Sequence, residues 1–222
     1  MATVNQQELY GGAITINLPS KFGNISHVRE VPDHQEVFVN VDEDQSVIVE
    51  ILELAPEASD ENCAAFHFQQ LAEDNDAEDA SIIQSVSVLN NAELPTWPAD
   101  AKIYLLLGQQ RIAKFNEQQR LQQQQHHHHH HLATAASTTT SSSSSTTSTT
   151  ADARNLVQIM MVVFRLPRQE TDIVLSYNVP LQISDSSSSK QVAHEGDISE
   201  AEGWFREVVG SFTVRDWGLF GN

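Results

Sequence analysis

Cysteine is nearly missing. Cys63 is the only one in 222 residues, so no disulfide can close within the chain and a reducing compartment is expected. Cations are scarce as well: 12 Lys and Arg stand against 30 Asp and Glu, for a net charge of −18. Phosphate contacts need clustered Lys and Arg, so this balance argues against nucleic acid and favours a partner with a basic surface. Long apolar runs are absent too. "IMMVVF" at 159–164 falls well short of the ~20 residues a membrane helix needs, so no membrane association is expected. The opening "MATVNQQELYGG" has neither a basic nor an apolar leader stretch, so no secretory signal is expected. The G-x-S-x-G elbow, the Walker A loop and the G-x-G-x-x-G turn do not occur, which removes the common hydrolase and nucleotide-binding signatures.

What is present describes a globular chain with a polar interruption. Hydrophobic residues make up 40% and charged residues 19%, the proportions of a soluble folded domain. Residues 118–153, "QQRLQQQQHHHHHHLATAASTTTSSSSSTTSTTADA", hold almost no large apolar side chain and cannot offset their ordering entropy. They are expected to form a disordered insertion between two strands of a single domain spanning 1–222. A His-rich tract binds divalent metal opportunistically, but a surface repeat expansion is the simpler explanation. Outside it, His27, His34, His67 and His194 are scattered without metal-ligand spacing, so no metal and no cofactor is expected.

Periodicity supplies the elements. "AITINL" at 13–18 alternates and stops at Pro19, and the preceding "YGG" makes a tight turn. "QEVFVN" at 35–40 and "SVIVEILEL" at 46–54 flank the polar "DED" and predict an antiparallel hairpin. Over 59–72 the period changes: Ala64, Phe68 and Leu71 predict an amphipathic helix capped by Ser59 or Asp60. The acidic "EDNDAED" at 73–79 is expected to be a solvated loop. Strands follow over 81–89 and 101–115, separated by "PTWP", and then "LVQIMMVVFRL" at 156–166 predicts a central strand buried on both faces. "TDIVLSYNVPL" at 171–181 alternates, with Ile173, Leu175, Tyr177 and Val179 on one side. Near the end, Ser199 and Glu202 have capping-box spacing ahead of a stripe formed by Trp204, Phe205, Val208, Val209 and Phe212. Strands in series with one helix midway and one near the end predict an α+β fold, a largely antiparallel sheet flanked by helices.

Asp33, His34 and Glu36 gather two acids and an imidazole within four residues. Without a nucleophile, a metal or an oxyanion donor they make no catalytic set, and Asp33 after Pro32 suits a turn for local reasons. Cys63 falls inside the predicted helix, where a buried structural thiol is expected.

Several longer stretches are familiar in combination. "ELYGGAITINLP" at 8–19, "VREVPDHQEVFVN" at 28–40 and "SVIVEILEL" at 46–54 resemble the Ran guanine nucleotide release factor family. So do "GQQRIAKFNE" at 108–117, "FRLPRQETDIVLSYNVP" at 164–180 and "DWGLFG" at 216–221. The resemblance implies a PsbP-like fold and a monomeric, non-enzymatic protein that binds the small GTPase Ran. It implies promotion of nucleotide release in support of nuclear protein import, with residence in nucleus and cytoplasm. The alternative is a Ran-binding or trafficking adaptor that leaves nucleotide release unchanged. By position, the resemblance places Ran contacts at Glu50 and Glu53, with Asp33, Gln35 and Glu36 as further candidates. In one ideal strand Glu50 and Glu53 would face opposite sides, so a shared surface needs a bend near Leu52. The insertion 118–153 has no counterpart in the family pattern, and 182–198 is expected to be a variable linker.

Overall fold

The computed structural model describes residues 3–28, 30–90, 94–113 and 153–221. The expected insertion 118–153 lies outside the described residues, apart from its last residue, Ala153, which is buried.

Among the described residues, ten strands and two α-helices follow one another along the chain. The strands are β1 (Val4–Leu9), β2 (Ile14–Pro19), β3 (Gly23–Asn24), β4 (Gln35–Asn40) and β5 (Gln45–Glu53), then β6 (Ser81–Val88), β7 (Lys102–Ile112), β8 (Asn155–Leu166), β9 (Thr171–Gln182) and β10 (Thr213–Val214). Helix α1 (Cys63–Asp74) falls between β5 and β6, and α2 (Ile198–Ser211) between β9 and β10. Seven strands form one antiparallel sheet in the order β3-β4-β5-β9-β8-β7-β6, and β1-β2-β10 form a second, smaller one.

Alternation along the central strands divides the core in two. Val47, Val49, Val162, Phe164, Ile173, Leu175, Tyr177 and Val179 point to a large cluster shared with β1, β2 and α2. Ile159, Met161, Val163 and Val174 point to the other face, against Cys63, Ala64 and Phe68 of α1. On the α2 side Ala201, Phe205, Val208 and Val209 are buried, and each large apolar side chain contributes ~2 kcal/mol gross. Trp97 from the "PTWP" loop stacks on Phe164 at 4.2 Å between ring centroids. Helix α1 lies so close to β7 that a Cβ at Gly108 would sit 2.6 Å from the Phe68 ring.

The α+β architecture, the first hairpin, the central β8 strand and the apolar face of β9 match expectation. Four local expectations do not. Helix α1 starts at Cys63 after a 3-10 turn over Asp60–Asn62, and the Ser59 side chain makes no cap hydrogen bond. Helix α2 is capped by Asp197, whose Oδ1 accepts from the N–H groups of Ser199 (2.8 Å) and Glu200 (3.0 Å). Asp197 stands at the first free amides, which leaves Ser199 inside the helix and no role for a Ser199–Glu202 box. The stretch 73–79 is not all loop, because α1 runs on to Asp74. Within 182–198, Ser187 and Ser189 are buried, and Ser189 Oγ donates 2.6 Å to Asp44 Oδ2, so this segment is pinned to the β4–β5 turn.

Candidate functional site

The β4–β5 hairpin sets five candidate residues on two faces. Gln35 is in register with Glu50, and Glu36 with Val49. Side chains alternate, so Gln35 and Glu50 face the α1 side, where the Gln35 Nε2 donates to Glu50 Oε1.

Glu36 faces the opposite way. Its Oε1 accepts from the Tyr10 backbone N–H at 2.9 Å, and its Oε2 from Asn24 Nδ2 at 3.4 Å. That bond holds a turn with positive φ at Tyr10 (51°), Gly11 (68°) and Gly12 (93°), a conformation glycine adopts at little cost. The Tyr10 hydroxyl lies 2.9 Å from the Val49 carbonyl oxygen and 3.0 Å from that of His34. Burial, reinforced by the charges of Glu36 and Glu50, pushes the Tyr10 phenol well above its ordinary pKa, so it stays a donor. Glu36 thus braces the hairpin from behind. Asp33 is exposed in the turn ahead of β4.

Between the β4–β5 edge and α1 opens a cleft of about 450 Å³. Gln35, Glu50 and Glu53 all line it, together with His34 at one end and Phe66 and Leu71 of α1 opposite. Glu50 and Glu53 both line this cleft despite their opposite parity in β5, Glu53 from the last position of the strand, where it borders a second groove as well. Glu53 is exposed on a ridge, Leu52–Pro56, whose far side lines a second groove of about 640 Å³ with Leu219 and Phe220. Among the described residues, no Lys or Arg is paired with Glu50 or Glu53.

Beneath the ridge lies a buried ion pair that the sequence reading overlooked. Arg165 on β8 and Asp172 on β9 are register partners, 2% and 0% exposed. Their contact is bidentate: Nε donates to Oδ1 and Nη2 to Oδ2, both at 2.9 Å. The remaining Arg165 donors reach the Ala58 carbonyl from Nη1 (2.7 Å) and the Ala55 carbonyl from Nη2 (2.9 Å). Asp172 Oδ2 also accepts from the Ala55 N–H at 3.2 Å and from His67 Nε2 at 2.9 Å. Burial alone would raise the Asp172 pKa. Hydrogen bonds from His67, Arg165 and Ala55 outweigh it and hold the carboxyl below its ordinary value. In return the Asp172 hydrogen bond, working against burial, raises the already high pKa of Arg165. A signal existed: two opposite charges facing one another across the short "PRQE" connector, each inside an apolar strand.

Among the described residues no group of three His, Cys, Asp or Glu side chains is disposed to hold a metal. Cys63 is buried, and its burial pushes the thiol up to about 12, far from a reactive thiolate. Asp33, His34 and Glu36 do not converge, because Glu36 is committed to Tyr10 and Asn24 on the far face.

The structure is an antiparallel α+β domain with an acid-lined cleft, and its fold is that of solved Mog1 structures. A crystal structure of the Saccharomyces cerevisiae Ran-binding protein Mog1p has a TM-score of 0.63 to this chain, at 23% identity, covering 100% of both. A Mog1 point mutant gives 0.62, also at 23% identity, covering 99% of this chain and 100% of its own. The chain belongs to the family described as Ran-interacting Mog1 protein, whose model matches residues 7–180. It is 32% identical to the probable ran guanine nucleotide release factor of Dictyostelium discoideum, over 98% of this chain and 97% of that one. It is 29% identical to the Homo sapiens Ran guanine nucleotide release factor, over 96% of this chain and 95% of that one.

Proposed function

We propose that this chain binds the small GTPase Ran and promotes release of its bound guanine nucleotide, supporting nuclear protein import. It does so as a monomeric, non-enzymatic factor in nucleus and cytoplasm, without nucleic acid or membrane. One observation carries the proposal: a member of the Ran-interacting Mog1 family gathers Gln35, Glu50 and Glu53 in a single open cleft. The net charge of −18 supports a protein partner over nucleic acid. Among the described residues, no helix is long and apolar enough to cross a membrane.

Nucleotide release is a linkage problem. A release factor binds nucleotide-free GTPase better than the loaded form, and nucleotide reciprocally weakens the factor. Tenfold acceleration requires only ~1.4 kcal/mol of preferential stabilisation of the release transition state. Carboxylates suit the task. Glu50 and Glu53 pair with a lysine that phosphate normally occupies, or compete for the bound magnesium, while Phe66 and Leu71 offer apolar contact beside them. Asp33 adds a contact at the exposed approach, and Glu36 holds the hairpin that presents them.

The test is release of a fluorescent guanine nucleotide from purified Ran, with and without substoichiometric protein. Faster release supports the proposal. Binding with an unchanged rate would make the chain an adaptor instead.

A further inference from the structure

The ridge Leu52–Pro56 has cavities on both sides and little sheet to hold it. Its last sheet-like hydrogen bond runs from the Leu54 N–H to the Glu170 carbonyl, at 2.8 Å. Past that point side chains hold the backbone polar groups of Ala55, helped at its carbonyl by the Ala58 N–H at 3.3 Å. Asp172 takes its N–H, and Arg165 takes its carbonyl as well as that of Ala58. In the sheet below, Asp172 pairs with Leu52, and its neighbour Thr171 pairs with Glu53. The ion pair therefore sits under Leu52, one register position before the residue that carries the exposed carboxylate.

Stability alone does not call for charges here. Apolar residues of similar volume commonly replace a buried ion pair without loss, because desolvation cancels much of the attraction. Apolar packing lacks direction, however, and cannot fix where two backbone carbonyls lie. A planar guanidinium with a bidentate carboxylate does fix them.

We infer that Arg165 and Asp172 are positioning residues, a clamp that acts through Ala55 and Ala58 to hold the ridge where Glu53 shares the cleft with Glu50. This role rests on the Ran-binding reading above. His67 ties the clamp to the cleft wall, since it lines the cavity and donates to Asp172.

The decisive variant is Arg165→Met combined with Asp172→Leu, which removes both buried charges and leaves only Asp60, 3.5 Å from Arg165 Nη1 and exposed enough to be solvated, without its cation. Three readouts are taken: melting, hydrogen exchange at the Ala55 amide, and affinity for nucleotide-free Ran, with and without Glu53→Gln. The clamp predicts a cooperative melt close to wild type and Ala55 exchange about tenfold faster. It also predicts about tenfold weaker Ran binding, shrinking to less than about twofold when Glu53 is already Gln. Wild-type exchange and affinity in the double variant would overturn the inference. So would an equal loss of affinity with and without Glu53. If the double variant does not melt cooperatively, Arg165→Lys decides on the same readouts, because it keeps the charge and drops the fork. A wild-type chain that never binds Ran removes the functional reading, and Ala55 exchange then decides the clamp alone.

Discussion

Glu36 and Glu50 belong to one hairpin, one register position apart, yet their surroundings assign them different work. Glu36 turns toward the small sheet and takes hydrogen bonds from Tyr10 and Asn24. Glu50 turns toward α1, meets only the neutral amide of Gln35 among the described residues, and lines an open cleft. Asp172 extends the comparison, being wholly buried and saturated by Arg165, His67 and Ala55. A carboxylate that accepts hydrogen bonds from within the fold stabilises it. One facing a cleft beside a single amide adds little stability and, under the proposed function, leaves its charge to the partner.

Substitutions that exchange these circumstances should break the comparison, beginning with the largest effect. Asp172→Ala leaves the buried Arg165 with only the half-exposed Asp60, 3.5 Å from its Nη1, as counter-ion and should cost about 3 kcal/mol, seen in urea unfolding. Acid should act in the same direction. The folded Asp172 carboxyl sits below its ordinary value, so its contribution is complete above about pH 4 and lost as pH falls through the folded pKa. Asp172→Asn should flatten that acid limb of the stability profile. At the alkaline end the thiol of Cys63 is raised from 9.0 to about 12. Its contribution is present below 9.0 and lost as pH rises toward 12, so Cys63→Ala should reduce the loss over that window. Glu36→Ala should cost about 1–2 kcal/mol by freeing the Tyr10 amide, with Ran affinity per folded molecule unchanged. Glu50→Lys should alter stability by no more than about 0.5 kcal/mol.

Much of this fold was legible in the sequence because alternation is a local signal. The β4–β5 hairpin and the central β8–β9 pair announce themselves in runs such as "QEVFVN" and "TDIVLSYNV". In the small sheet only β2 does, since β1 is the polar "VNQQEL" and β10 has only Thr213 and Val214. Capping failed for a related reason: Asp197 and Ser199 both satisfy the local rule, and only the observed start of α2 at Ile198 chooses between them. The site was half visible. Glu50 and Glu53 were picked out by resemblance, but strand parity separates them, and that both line one cleft is visible only in the structure. Glu36 illustrates the converse, a neighbour in sequence sent to the other face. The clamp beneath them was missed because Arg165 and Asp172 look like interruptions of two apolar runs until the register pairs them.

The most direct measurement compares release of a fluorescent guanine nucleotide from Ran by three proteins: wild type, Glu36→Ala, and the Glu50→Lys, Glu53→Lys double variant. Wild type and Glu36→Ala should accelerate release at substoichiometric concentration, while the double variant, folded and melting like wild type, should not. Equal acceleration by the charge-reversed protein would contradict a role for the cleft carboxylates.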